Sequence, residues 1–293
     1  MYYRRKILLA IVAKTKAKKI SKLSLQKLLF LFCQNQKNAV YDFIPYHYGC
    51  YSFTANKDLS LLADYYHLLE DNKKAWSLKR EQNYIDQLSI DDAEILEYIF
   101  TTYEEENQSH LLSIIYQNYP YFAISSKRIL SDSELVGIQN EKKIISSQIS
   151  STLFTIGYES KSIEQYLNQL IRNNISLLID IRRNPLSKKY GFSKNQLKNY
   201  CDAVGIKYYH FPELGIDSAL RQELTDFESY TELFETYKKN LNSKMKELNQ
   251  VYDLIKKFKR AALTCFEKDH SFCHRSILAN QINFQLNMPV KHL

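Results

Sequence analysis

Glu267, Cys273, His274 and Arg275 are gathered between an apolar run, Ala261 to Cys265, and a segment of helical periodicity, His274 to Leu286. The pattern predicts a buried strand, a tight polar loop and the start of a helix. Open α/β sheets bind ligands at such junctions, where the first backbone amides of a helix attract anions. A carboxylate, a thiol, an imidazole and a guanidinium in one loop supply acid–base, nucleophilic and anion-binding groups together.

Other polar residues follow three further apolar runs: Gly157-Tyr158-Glu159, then Asp180 with Arg182 and Arg183, then His210 with Pro212 and Glu213. If these runs are parallel strands, all four ends lie on one side of a sheet, and the residues are expected to line one pocket. Arg182, Arg183 and Arg275 can fork onto phosphate oxygens. Glu267 and Glu213, with Asp180, provide carboxylates of the kind used to protonate a leaving group or activate water. Asp180 beside Arg182 reads equally as a structural ion pair. Tyr158 can stack on a base or contact a sugar, or simply form the pocket wall. His210 is expected to contact substrate.

Gly191-Phe-Ser-Lys194 reads as a loop leading into a helix, with Ser193 as N-cap. Lys194, with Lys188 and Lys189, offers a basic surface for a phosphate backbone or an ordinary solvated face. Cys265 and Cys273 have three readings: buried inert thiols, the leading one; a nucleophile at Cys273 with His274 as base; or metal ligands with His274 and His210. The paired short spacing of zinc motifs is missing, so no metal and no cofactor is assigned.

The elements that must position these groups alternate after residue 151. Strand-like runs at Leu153 to Gly157, Leu177 to Ile181, Lys207 to Phe211 and Ala261 to Cys265 are separated by helical segments, including a pair within Phe227 to Phe258 broken near Asn240 to Ser243. This predicts an α/β domain over 152–293, a mostly parallel sheet with helices on both faces. Residues 1–130 read as a mainly helical domain of helix-turn-helix-like character that binds nucleic acid or a partner protein. Helices are expected around Ile7 to Ala13 and over Ser21 to Phe32, the latter with Leu25, Leu28, Leu29 and Phe32 on one face. The Lys14 to Lys22 cluster falls in the intervening turn, and Trp76 to Leu88 forms a hairpin or wing. Residues 131–151, polar and rich in Ser, Lys and Gln, read as a connector.

The second half resembles the domain of unknown function 488 family. The resemblance lies in Thr155-Ile-Gly-Tyr-Glu159, Asp180-Ile-Arg182 with Pro185, Gly191-Phe-Ser-Lys194, Gly205-Ile206, Pro212-Glu-Leu-Gly215, and Cys265-Phe-Glu267 followed by Cys273-His-Arg275. It implies an α/β fold and a pocket built from these motifs, without a reaction. The first half resembles the Panacea domain through Leu25-Gln-Lys-Leu-Leu29 and Pro45-Tyr-His-Tyr-Gly49, which implies a toxin–antitoxin or defence context. Cys50 departs from the Pro usual in that family.

With 293 residues the chain is long enough for two cores. The net charge is +8, and the excess falls mainly after residue 150: 21 Lys or Arg against 15 Asp or Glu, compared with 19 against 17 before it. An anionic partner suits this balance. Five scattered cysteines point to a reducing cytoplasm rather than a disulfide framework, and the apolar run after Arg4 and Arg5 is too short and too lysine-flanked for a signal peptide. No membrane partner is expected. These features together predict an enzyme acting on a nucleotide or nucleic acid, DNA more than RNA, by glycosidic or phosphodiester chemistry. The alternative is a non-catalytic, nucleotide-sensing DNA-binding regulator or a toxin–antitoxin component.

Overall fold

The computed structural model describes residues 1–80, 82–103, 107–217 and 227–293. The chain divides into two compact units, Met1–Ile144 and Ile145–Leu293. No helix among the described residues is long and apolar enough to cross a membrane.

The first unit is mainly helical. It comprises α1 (Tyr3–Lys14), β1 (Lys19–Ser21), α2 (Lys22–Asn35), the hairpin β2 (Ile44–Tyr46) and β3 (Gly49–Tyr51), α3 (Phe53–Asp64), the hairpin β4 (Leu68–Asp71) and β5 (Ala75–Leu78), α4 (Ile90–Tyr103), α5 (Gln108–Asn118) and α6 (Asp132–Ser146). Ser21 caps α2 by accepting from the Ser24 amide. Every residue from Leu25 to Cys33 is buried, not one face alone, because α1, α4, α5 and β3 all pack around α2. Two polar residues of this central helix are used to anchor the chain. Gln26 makes a reciprocal pair of bonds with the Ser52 backbone, and the Lys27 ammonium donates to the Cys50 carbonyl at 2.5 Å.

β1 pairs with β5 and β5 with β4, giving a three-stranded antiparallel sheet. The hairpin therefore begins upstream of Trp76, and Ile85–Gln87 is a 3-10 turn. Much of the Lys14 to Lys22 cluster is neutralised locally: Lys14 pairs with Glu97, Lys19 with Asp71 and Lys22 with Glu70. Within the expected connector, α6 buries Glu134 and Ile138, and Ile138 joins the core of this unit.

The second unit carries β6 (Thr152–Gly157), α7 (Ile163–Arg172), β7 (Leu177–Asp180), α8 (Lys194–Ala203), β8 (Lys207–His210), α9 (Phe227–Leu241), α10 (Met245–Phe258), β9 (Arg260–Cys265), α11 (His274–Leu286) and β10 (Val290–His292). The five strands are all parallel, in the order β10-β6-β9-β7-β8. The crossover from β6 to β7 skips one position, and β9 fills it. The end of β9 therefore emerges between those of β6 and β7, at the switch point of the sheet.

Strand alternation decides which helices each residue meets. Leu177, Ile179, Ala261 and Leu263 share one core with Leu248, Val251 and Ile255 of α10 and with Leu278 and Ile282 of α11. On the opposite face Tyr166 of α7 donates to the Thr264 hydroxyl at 2.8 Å. A capping box of Ser162 and Gln165 starts α7. Ser193 occupies the N-cap position of α8 but does not cap it; its hydroxyl closes the preceding loop by donating to the Ser187 carbonyl at 2.9 Å.

Candidate functional site

The strand ends do not converge on a single pocket, because neighbouring residues of a strand face opposite sides of the sheet. Asp180 points to the α7 face, together with its register partner Thr264. Its carboxylate receives Nε and Nη2 of Arg182 at 2.8 and 2.5 Å, the Tyr208 hydroxyl at 2.6 Å and the Arg182 amide at 3.1 Å. Both oxygens are engaged and the residue is fully buried. Arg182 spends its remaining nitrogen on the Tyr158 hydroxyl at 3.0 Å and the Phe192 carbonyl at 2.8 Å. Its pKa is raised chiefly by the hydrogen bonds and charge of Asp180, against the effect of burial. Burial, then the Asp180 charge, raises that of Tyr208.

This network fixes an aromatic wall. Tyr158 stacks on Phe192 at 4.4 Å with an interplanar angle of 9°, and Phe266 packs edge-on against it. The backbone below is stitched together: the Tyr158 and Glu159 amides both donate to the Phe266 carbonyl. Lys189 donates to the Tyr158 carbonyl and Lys161 to that of Gly157. The Lys161 pKa is lowered by burial and then by the positive charges of Arg275, Lys268 and Lys189.

A cavity of about 320 Å³ opens at these strand ends, lined by Tyr158, Arg182, Arg183, Asn184, Lys188, Cys265 and Phe266 among others. Arg183 and Lys188 are its exposed cations. No carboxylate lines it among the described residues. A neighbouring cavity of about 210 Å³ contains Glu213, Asp217, Tyr237 and Lys244, and shares Arg183 and Ile216 with the first. Arg183 thus stands between the two, its Nη1 reaching the Pro212 carbonyl at 3.4 Å.

The other expected site residues lie as follows. Glu213 is exposed and lines the smaller cavity only; Glu267 lines neither, and its Oε2 is buried. His210 bonds through Nε2 to the Arg182 carbonyl at 2.8 Å. Lys194 is exposed at the first turn of α8 and lines neither cavity. Arg275 is 1% exposed and donates to the carbonyls of Glu267 and Lys268, so its guanidinium holds the loop from beneath. Its Nε is buried without a hydrogen-bond partner among the described residues.

Cys265, Cys273 and His274 converge on the opposite face of the sheet, all at most 2% exposed. Nδ1 of His274 lies 3.9 Å from Cys265 Sγ and 4.0 Å from Cys273 Sγ. Burial, then the neighbouring Cys265, pushes the Cys273 thiol well above its ordinary pKa. All five cysteines are buried and none is in a disulfide among the described residues. His210 is occupied elsewhere, so the trio forms without it.

Tyr208, Phe192 and Lys161 escaped sequence reasoning. The β7–β8 register pairs Tyr208 with Leu178 and His210 with Asp180, and the Tyr208 hydroxyl reaches the Asp180 carboxylate diagonally. Neither the register nor this diagonal reach is readable in one sequence.

Residues 162–282 match the family model described as Domain of unknown function DUF488. The match runs from the cap of α7 into α11 and leaves Tyr158 and β6 outside it. No curated protein and no solved structure matches the chain.

Proposed function

We propose that the second unit is an enzyme that takes a phosphorylated nucleotide, or a phosphate of a nucleic acid strand, into the 320 Å³ cavity and acts on its glycosidic or phosphodiester bond. The observation that carries this reading is the lining: exposed Arg183 and Lys188 beside the Tyr158–Phe266 aromatic wall, with no carboxylate among the described lining residues. A guanidinium forks onto phosphate oxygens, and an aromatic wall suits a base. Arg182 serves by positioning Tyr158, and Arg275 by holding the loop. Glu213, which lines the neighbouring cavity together with Arg183, is the acid–base group of the reading, and Glu267 is its second carboxylate.

The first unit is read as the nucleic-acid-binding module, for DNA more than RNA. Leaving aside the β2–β3 hairpin, its order as far as Leu78 is helix, strand, helix, helix, strand, strand, with β1 paired to β5 and α4 to α6 following. This is the connectivity of a winged helix, in which α3 would enter the major groove and the β4–β5 wing would follow the backbone. Exposed Lys73 and Lys74 stand at the wing tip. A regulator that senses a nucleotide without turning it over would use the same two surfaces, as would a toxin–antitoxin or defence component.

Equilibrium binding and turnover of nucleotides and 5′-phosphorylated oligonucleotides by the full chain test this reading. Arg183→Ala should weaken binding at least tenfold while leaving the fold intact, since the side chain is exposed. Glu213→Gln should bind normally and lose turnover. Binding without turnover would favour the regulator; anion binding indifferent to Arg183 would remove the proposed site.

A further inference from the structure

Cys265 ends β9, Cys273 stands at the N-cap of α11, and His274 begins that helix. Their ligand atoms all lie within 4.8 Å of one another. The arrangement is directional as well as close. Nε2 of His274 meets the Ile181 carbonyl at 3.3 Å, and a carbonyl only accepts, so Nε2 carries the proton and the Nδ1 lone pair faces both sulfurs. A backbone carbonyl that fixes the tautomer and aim of a histidine is the usual outer partner of a metal-bound imidazole. Tyr237 packs edge-on against the ring at 5.2 Å and is itself anchored by donating to the Leu214 carbonyl at 2.7 Å.

We infer that Cys265, Cys273 and His274 form a three-ligand zinc site. Tetrahedral zinc, with bonds of about 2.3 Å to sulfur and about 2.0 Å to nitrogen, separates the nitrogen from each sulfur by roughly 3.5 Å. The observed 3.9 and 4.0 Å lie a few tenths of an ångström from that spacing. Two sulfurs and an imidazole are soft and borderline donors that select zinc and disfavour magnesium or calcium. Two thiolates also balance the dication, so the filled site is neutral where it is buried. Both thiols release their protons to solvent on binding. Three protein ligands leave a fourth position, and Cys265 also lines the 320 Å³ cavity, from which a water or a ligand atom can complete the shell. The site stands whether or not that cavity takes a phosphate.

The test uses the full chain purified without chelator under reducing conditions, with elemental analysis for zinc and titration of the metal-stripped protein with Co²⁺. One zinc per chain is expected, together with a thiolate-to-cobalt charge-transfer absorption saturating at one equivalent and displaced by Zn²⁺. Cys265→Ser and His274→Ala should each lower the affinity at least tenfold, whereas Cys201→Ser, in a separate buried position, should not. If a variant fails to fold, the wild-type titration alone decides. Folded, reduced wild-type protein that holds no zinc and gives no thiolate–cobalt band would overturn the inference, as would a Cys265–Cys273 disulfide whose reduction restores no metal uptake.

Discussion

Arg182 grips Asp180 from two residues further along the same chain, through Nε to Oδ1 at 2.8 Å and Nη2 to Oδ2 at 2.5 Å, with both side chains closed off from solvent. The same guanidinium faces the Tyr158 ring at 5.0 Å and holds its hydroxyl. A charge that the sequence offers to a ligand is thus used inside the protein to set the angle of an aromatic wall. In the proposed reading the anion-binding role passes to Arg183, the next residue, which is exposed.

Asp180→Asn should therefore act on stability. The substitution removes the charge that compensates a buried guanidinium, and breaking such pairs costs about 3–5 kcal/mol. Urea unfolding should show a midpoint shifted down accordingly. If Asp180→Asn unfolds like the wild type but loses turnover, Asp180 is a catalytic acid and not a strut.

The wing makes a separate prediction. Lys73 and Lys74 are exposed between β4 and β5 and touch no acidic partner within ion-pair distance among the described residues. In the winged-helix reading each neutralises a phosphate. Lys73→Ala with Lys74→Ala should weaken DNA binding by the full chain and lower the slope of log K against log salt by about 2. An unchanged slope would take the wing out of the interface.

Much of the second unit was legible because its strands are short apolar runs bounded by polar turns, and because His274 to Leu286 keeps a helical pattern to its end. β10 was not: three residues, Val290 to His292, with only Val290 partly buried among them, carry no pattern. The site was legible as a set of residues and illegible as a geometry. A period of two sends Asp180 and Cys265 to opposite faces, and the convergence of Cys265 with Cys273 depends on a loop closing between them. In α2 the periodicity suggested one apolar face, but burial on every side leaves only Gln26 and Lys27 to mark where the β3 backbone docks.

Two glycines should prove intolerant through close approach. A Cβ on Gly157 would stand 1.8 Å from the Glu267 carbonyl oxygen, and one on Gly215 would stand 2.2 Å from the Arg183 amide nitrogen. Each alanine forces backbone apart, with a cost of about 3 kcal/mol, and displaces a loop that frames a cavity. Gly205 is the control: its φ is +79° but nothing lies within 4 Å of an added Cβ. Gly205→Ala should cost only about 1 kcal/mol of backbone strain. Thermal and urea unfolding of the three variants would separate them, and equal losses would contradict the packing.

Lys27 gives the pH prediction. It is 2% exposed, its ammonium held by the Cys50 carbonyl, and burial lowers its pKa below the ordinary lysine value. The unfolded chain keeps this proton up to about pH 10.4, whereas the native state releases it earlier. Between those two values the unfolded state binds more protons, so the contribution of Lys27 to stability rises with pH and is smallest below the native pKa. Lys27→Met keeps the length and removes the titration. The stability of Lys27→Met relative to wild type should be most favourable at low pH. It should then fall by about 1.4 kcal/mol for each unit by which the native pKa is lowered, as pH climbs toward about 10.4. The Cys50 thiol, raised by burial to about 11 and held down in part by Lys27, moves in the same sense: without Lys27 it ionises later still, which penalises the variant at alkaline pH. Urea unfolding of both chains between neutral and alkaline pH measures the difference. A relative stability of the variant that stays flat with pH would show that Lys27 keeps its proton at an ordinary pKa in the folded protein, and one that rises with pH would show a raised pKa; either overturns the prediction.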